Sequence, residues 1–312
     1  MQIGLIGLGK MGRGLSLNML DHGHEVVVWN RSKDPVEKLV AAGAEEGKDI
    51  KDLVAKLEGE PKIVWLMMPA GEVTEQFLFS EIDGVVNYLN EGDVIIDGAN
   101  SNYKDTKRRN KQIVAKGIRY VDIGVSGGPV GARKGACMMM GCDDATVVEL
   151  LTPLLDDLNV EKGWGYFGKS GAGQFVKMVH NGIEYGMMQA IAEGFAIMKA
   201  SEYEIDFDKL TDVYNHGSVI ESRLIGWLQS GFREYGEELG EVSGTVGHLG
   251  EGKWTAEVAE ELGVDAPIIS GSFKFREDSK DNPSYTGQIV SVLRNQFGGH
   301  TVKKGKWKKS SL

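Results

Sequence analysis

The chain has 312 residues, 41% hydrophobic and 26% charged, enough to bury a sizeable core and unlike a disordered, collagenous or membrane-spanning composition. Thirty-five basic against 45 acidic residues leave a net charge of −10, which argues against nucleic acid or an anionic membrane as the main partner, because both need a basic face. Two cysteines, Cys137 and Cys142, are too few for a disulfide framework, so a reducing, cytoplasmic setting is expected.

No apolar run approaches the roughly 18 residues of a membrane helix, and the N-terminus opens into a strand-like run without the basic segment of a secretion signal. Strands are predicted at 2–6, 25–29, 63–68, 93–97, 119–123 and 136–140. Several are apolar on both faces, as in a parallel sheet covered by helices. Amphipathic helices at 11–20, 35–42, 103–115 and 144–155 lie between them. This alternation predicts a Rossmann-type, doubly wound α/β domain over residues 1–168.

Beyond Gly168 no strand is expected. Helices at 173–200, 206–215, 221–232, 253–262, 266–277 and 284–296 form an all-α domain over 169–300. Residues 236–252 carry six glycines and read as a long, mobile loop. Residues 301–312, with five lysines and a tryptophan, read as a solvated basic tail.

Gly7-Leu8-Gly9-Lys10-Met11-Gly12 is a G-x-G-x-x-G segment between the first strand and the first helix. The glycines supply the tight turn, the backbone approach to a pyrophosphate and close helix-on-strand packing. The helix N-terminus adds N–H donors and a positive dipole end. A dinucleotide is therefore expected. At the end of the second strand the chain reads Trp29-Asn30-Arg31-Ser32. A carboxylate there would hold the ribose 2′-hydroxyl of NAD; its absence, with Arg31 between two small polar side chains, favours the 2′-phosphate of NADP. Ser32 also suits the N-cap of the next helix.

On the longest helix, Lys177, Asn181, Glu184 and His180 fall at about 0°, 40°, −20° and −60° around the axis, so four polar groups of different proton affinity share one face. A solvated stripe of paired charges would look the same, but this helix is rich in Met, Ile and Val and carries Gly182 and Gly186, which weaken a helix unless something packs close. A buried lysine acting as a base must drop about three units from its ordinary value near 10.4, roughly 4 kcal/mol. Two loops complete the candidate site: Asp97-Gly-Ala-Asn100-Ser101 at a strand end, and Ser126-Gly127-Gly128, whose successive N–H groups can cradle a carboxylate.

Together these segments resemble the 6-phosphogluconate dehydrogenase family in its short form, over nearly the whole chain. The glycine fingerprint, Asp97–Ser101 and 124–141 are similar to the wider β-hydroxyacid dehydrogenase superfamily. Lys177-Met-Val-His-Asn-Gly-Ile-Glu-Tyr185, Gly252-Lys-Trp-Thr255 and Arg294-Asn-Gln-Phe-Gly-Gly-His300 are the discriminating segments. The resemblance implies NAD(P)-dependent oxidation of 6-phosphogluconate at C3, loss of CO2 and protonation of an enediol to ribulose 5-phosphate. It implies Lys177 as general base and Glu184 as the acid that protonates C1. It places Asn100, Ser126, Gly127, Gly128, His180 and Asn181 on the carboxylate and hydroxyls. Tyr185, Lys253, Thr255, Arg276, Arg294 and His300 would hold the phosphate, Arg276 lying outside any matched segment. The cofactor residues implied are Gly7, Leu8, Gly9, Lys10, Met11, Gly12, Asn30, Arg31, Ser32, Met68 and Asn100, with NADP favoured and NAD open; no metal is implied.

Pro129, Cys142 and Met187 depart from the long form, which usually has glutamate, glycine and aspartate there. The long form duplicates the helical domain, so a chain this short implies a homo-oligomer, dimer or tetramer, with Arg294 and His300 completing a neighbouring copy's site. The competing readings are a 3-hydroxyisobutyrate or tartronate-semialdehyde type dehydrogenase, which would lack Glu184 and the Lys253, Arg294 and His300 set, and a non-catalytic NADP-binding sensor or scaffold.

Overall fold

A computed structural model describes residues 1–302; most of the basic tail expected at 301–312 lies outside the described residues. The chain divides into two compact units, Met1–Met178 and Val179–Leu312.

The first unit is an eight-stranded sheet with helices: β1 (Gln2–Ile6), α1 (Lys10–Asp21), β2 (Glu25–Trp29), α2 (Lys33–Val40), β3 (Glu45–Glu46), α3 (Ile50–Ala55), β4 (Ile63–Leu66), α4 (Glu72–Phe79), β5 (Val94–Asp97), α5 (Tyr103–Val114), β6 (Arg119–Ser126), α6 (Gly128–Lys134), β7 (Ala136–Cys142), α7 (Ala145–Leu158) and β8 (Asn159–Tyr166). Its order is β3-β2-β1-β4-β5-β6-β7-β8. The central strands β4 and β5 are buried along their whole length, as strands covered on both faces must be. Chain order reverses on either side of β1, whose neighbours are β2 and β4. The fingerprint thus leaves the sheet at the switch point where open α/β sheets bind ligands.

The sheet is not parallel throughout: β6 and β7 pair antiparallel. Only residues 127–135 connect them, too few for a parallel crossover. The strand β8 was not expected. It pairs with β7 alone and has no buried residue, and its few apolar side chains are interrupted by polar ones and glycine, so it carries no apolar run. The short helices α3, α4 and α6 likewise have too few turns for a clear periodicity.

Helix α8 (Ala172–Lys199) continues unbroken past Met178. The second unit contains its remainder with α9 (Phe207–Tyr214), α10 (Arg223–Tyr235), α11 (Glu251–Glu261), α12 (Pro267–Asp278) and α13 (Tyr285–Gly298). Its core is built around Phe195, Phe207 and Phe232, whose ring centroids lie 5.2–5.6 Å apart. The glycine-rich segment after α10 is pinned rather than loose. Leu239, Val242 and Val246 are fully buried, Gln288 Nε2 donates to the Leu239 and Val242 carbonyls, and His248 Nε2 lies 2.6 Å from Glu277. Among the described residues no helix is long and apolar enough to cross a membrane, and no group of His, Cys, Asp and Glu could hold a metal ion.

Candidate active site

In the first unit the fingerprint forms the cradle its residue types call for. Gly7 adopts φ +99°, and its amide donates to the Trp29 carbonyl at 3.0 Å. A Cβ on Gly12 would overlap the Gly7 carbonyl oxygen, whereas one on Gly9 would meet nothing within 4 Å. The space over Gly9, at the N-cap of α1, is where an anion can reach the helix N-terminus. A groove of about 580 Å³ opens there, lined among others by Leu8, Gly9, Lys10, Arg13, Arg133 and Lys134. The Met68 sulfur lies close over Gly7, 2.6 Å from where its Cβ would stand. Met11, a half-buried residue of α1, packs against the core.

Asn30 joins the fingerprint to the end of β2, accepting from the Leu8 amide at 3.0 Å and donating to the Ser32 carbonyl at 3.1 Å. Ser32 is the N-cap of α2 but makes no side-chain cap bond, and Arg31 is exposed. Asn100 Oδ1 is buried without a hydrogen-bond partner, an acceptor that a ribose or substrate hydroxyl would satisfy. The chain's donors and acceptors thus fit a dinucleotide.

Two residues of β6 seat the start of α8. Asp122, fully buried, accepts from the Gly171 amide at 2.6 Å and the Gln174 amide at 2.9 Å. Burial pushes its carboxyl up to about 7, against the pull of those two donors. Two residues along, a Cβ on Gly124 would overlap the Lys177 side chain. The glycine therefore lets Lys177, 4% exposed, lie against the strand. Behind the Asp97–Ser101 loop, fully buried Arg109 contacts Asp97 at 3.2 Å, Ser101 Oγ at 2.8 Å and Glu75 at 2.6 Å. The Tyr120 hydroxyl donates to Asp97 at 2.6 Å. This network fixes the loop that presents Asn100. The other substrate loop, Ser126-Gly127-Gly128, ends β6 and bends into α6 with φ of +113° and +63° at its glycines.

In the second unit α8 carries His180, Asn181, Glu184 and Tyr185. The Arg276 guanidinium sits 3.2 Å from the Tyr185 ring centroid and contacts the Met188 sulfur at 3.6 Å. It is 2% exposed, and burial pushes it down to about 10. Burial lowers Arg294 as well, while Tyr185, Glu184 and Glu251 act on it in the opposite sense. Among the described residues neither arginine forms an ion pair with a carboxylate. Arg294, which the resemblance would send to a neighbouring copy, lies within electrostatic reach of Tyr185 and Arg276 in its own chain.

Thr255 is buried and donates to the Glu251 carbonyl at 2.8 Å. Lys253 is half exposed and lies 3.5 Å from Glu257, and the His300 carbonyl accepts from Asn295 at 2.9 Å. Sequence reasoning missed Asp122, Arg109 and Glu251. For Asp122 a signal existed, an acid inside the otherwise apolar run Tyr120–Val125.

Comparison with known proteins agrees with this geometry. Residues 2–164 match the NAD binding domain of 6-phosphogluconate dehydrogenase, and residues 173–304 match the 6-phosphogluconate dehydrogenase C-terminal domain. The Bacillus subtilis protein YqeC, itself assigned only provisionally to 6-phosphogluconate dehydrogenase, is 42% identical over 304 residues, 97% of this chain and 100% of its own length. An NAD(+)-dependent, decarboxylating 6-phosphogluconate dehydrogenase from Haloferax volcanii is 39% identical, covering 97% of this chain and 98% of that one. Among solved structures, Plasmodium falciparum 6-phosphogluconate dehydrogenase, known with NADP+ and with 6-phosphogluconate, aligns with a TM-score of 0.77 at 28% identity, over 94% of this chain and 70% of that one.

Proposed function

We propose that this chain, which belongs to the 6-phosphogluconate dehydrogenase family, converts 6-phosphogluconate to ribulose 5-phosphate and CO2, the oxidative decarboxylation of the pentose phosphate pathway. Its class, an NAD(P)-dependent dehydrogenase, follows from the matched domains; the substrate and the residue roles are the proposal. When bound, the nicotinamide supplies the hydride acceptor at C3.

Lys177 takes the proton of the C3 hydroxyl. Lys177 lies against Gly124 at 4% exposure, and it must be neutral to act as a base. The resulting ammonium then donates to the carbonyl oxygen on which charge develops as the carboxylate is lost. Glu184 delivers a proton to C1 of the enediol. Ser126, Gly127, Gly128, Asn100, His180 and Asn181 hold the carboxylate and hydroxyls. Tyr185, Thr255, Arg276 and Arg294 take the phosphate, with Lys253 and His300 at its rim.

The observation that supports this reading most is the buried Arg276 guanidinium beside Tyr185, with the half-buried Arg294 near it, neither forming an ion pair with a carboxylate among the described residues. A guanidinium kept out of water without a carboxylate is costly, and a phosphate repays that cost with bidentate, charge-assisted bonds. A small unphosphorylated hydroxyacid would not. The decisive assay supplies 6-phosphogluconate with NAD and NADP separately and follows CO2 release; no CO2 with either cofactor rejects the proposal. We further propose NADP as the preferred cofactor, on Arg31, and the cytoplasm as the setting, on the two free cysteines. A homo-oligomer is proposed too, because α8 exposes Ile183 at 52%, Met187 at 45% and Ile197 at 71%, an apolar stripe a second copy would cover. Sedimentation of a fully active monomer rejects that part.

A further inference from the structure

Glu251 is an acid that the reaction above does not use. It is 7% exposed and stands in the first turn of α11, after Gly250, where the positive end of the helix offsets part of the burial of its charge. Close packing fixes its position. A Cβ on Gly252 would overlap the Tyr185 ring, and one on Gly182 would come within 2.5 Å of the Thr255 side chain. These two glycines therefore let α11 press against α8. That approach brings Glu251 Oε1 within 3.2 Å of Asn181 Nδ2, and Asn181 Oδ1 within 2.9 Å of His180 Nδ1.

The bonding roles along this chain are not free. A carboxylate can only accept, so it selects the NH2 end of the Asn181 amide and turns the carbonyl end toward the histidine. That oxygen can only accept as well, so the proton of a neutral His180 imidazole must sit on Nδ1. Glu184 Oε2, 4.0 Å from the same nitrogen, favours a proton there too. Nε2 is then an acceptor, the reverse of the preference of free histidine. We propose that Glu251 is a positioning residue that acts through Asn181 to hold His180 in the Nδ1–H tautomer, so that Nε2 accepts a hydrogen bond from a substrate hydroxyl. The substrate half of this statement rests on the proposed reaction. The tautomer half does not.

The test uses the full-length protein labelled with 15N-histidine, with the His180 signals identified by their loss in His180→Asn. At a pH where the ring is neutral, His180 should show a protonated Nδ1 and a bare, pyridine-type Nε2. A proton on Nε2 in the unsubstituted protein overturns the proposal without any variant having to fold. Glu251→Met removes the acceptor and should give a mixture of tautomers, with kcat/KM reduced about tenfold, the size of one misdirected hydrogen bond. Glu251→Gln keeps an accepting oxygen and should restore both. An unchanged tautomer in Glu251→Met also overturns the proposal. The expected tautomers together with no turnover of 6-phosphogluconate would reject the proposed reaction, and the substrate half with it, and leave the tautomer half standing.

Discussion

The Arg276 guanidinium lies over the Tyr185 ring at 3.2 Å from its centroid, enclosed to 2% exposure and donating to the Met188 thioether at 3.6 Å. Although burial lowers it to about 10, it stays charged at neutral pH. The fold therefore maintains a desolvated cation that the ring face only partly compensates. Arg276→Met should raise KM for the phosphorylated substrate about a hundredfold with little change in kcat, because a charge-assisted contact in a dry pocket is lost. Its thermal midpoint should hold or rise, since the burial penalty goes with the charge. An unchanged KM would remove Arg276 from the phosphate site.

Gly124 and Lys177 are coupled by contact. A Cβ on Gly124 would overlap the lysine stem, so Gly124→Ala must shift Lys177 or the first turn of α8. Steady-state kinetics should show kcat down at least about tenfold, and calorimetry a midpoint lower by several degrees, as overpacking predicts. Lys177→Met keeps the stem and removes the amine. It should cost about three orders of magnitude in kcat/KM without loss of stability, the magnitude of a missing general base with its positioning. A loss under tenfold would reject the role.

How far these groups could be read in the sequence follows from what shaped them. β1 and β2 have their predicted bounds because each is a short run apolar on both faces. The fingerprint is legible because pyrophosphate binding constrains three glycines at fixed spacing. Lys177 and Glu184 stand on one helix, where spacing alone gives their angular relation. By contrast, Asp122, Arg109 and Glu251 owe their roles to partners 49, 12 and 70 residues away in the chain. Periodicity does not encode such pairings. The edge strand β8 was missed because none of its residues is buried and polar residues and glycine break its apolar positions, and the β6–β7 reversal is legible only once the length of the connection between them is known.

Arg31 is exposed at the end of β2, and the adjacent Asn30 is already committed to Leu8 and Ser32. The guanidinium is thus a charged group at this corner that a 2′-phosphate could recruit. Arg31→Ala should raise KM for NADP at least about tenfold and leave KM for NAD within about twofold, since a single exposed phosphate contact is worth on the order of 1.5 kcal/mol. Equal effects on both cofactors would show that Arg31 serves the adenosine generally and would withdraw the NADP preference.

Asp122 gives the stability of the fold a pH dependence opposite to that of ordinary surface carboxylates. In the unfolded chain its carboxyl titrates near the usual value of about 4, whereas in the fold burial raises it to about 7. Between those limits the folded state retains a proton that the unfolded state has released, so stability falls as pH rises from about 4 to about 7 and levels off above. The exposed or half-exposed Asp52, Glu75, Asp144 and Glu277 are lowered instead, and their contributions grow with pH only in the acid range. The difference between the parent chain and Asp122→Asn isolates the buried group. Urea unfolding should show a stability difference that changes by roughly 4 kcal/mol across that window. The asparagine variant should lack the slope. It should also lose one of the two bonds at the start of α8, because an amide can accept from Gly171 or Gln174 but its NH2 end cannot accept from the other. Parallel curves for the two proteins would mean that Asp122 is ionised throughout, held so by the amides of the helix that carries Lys177.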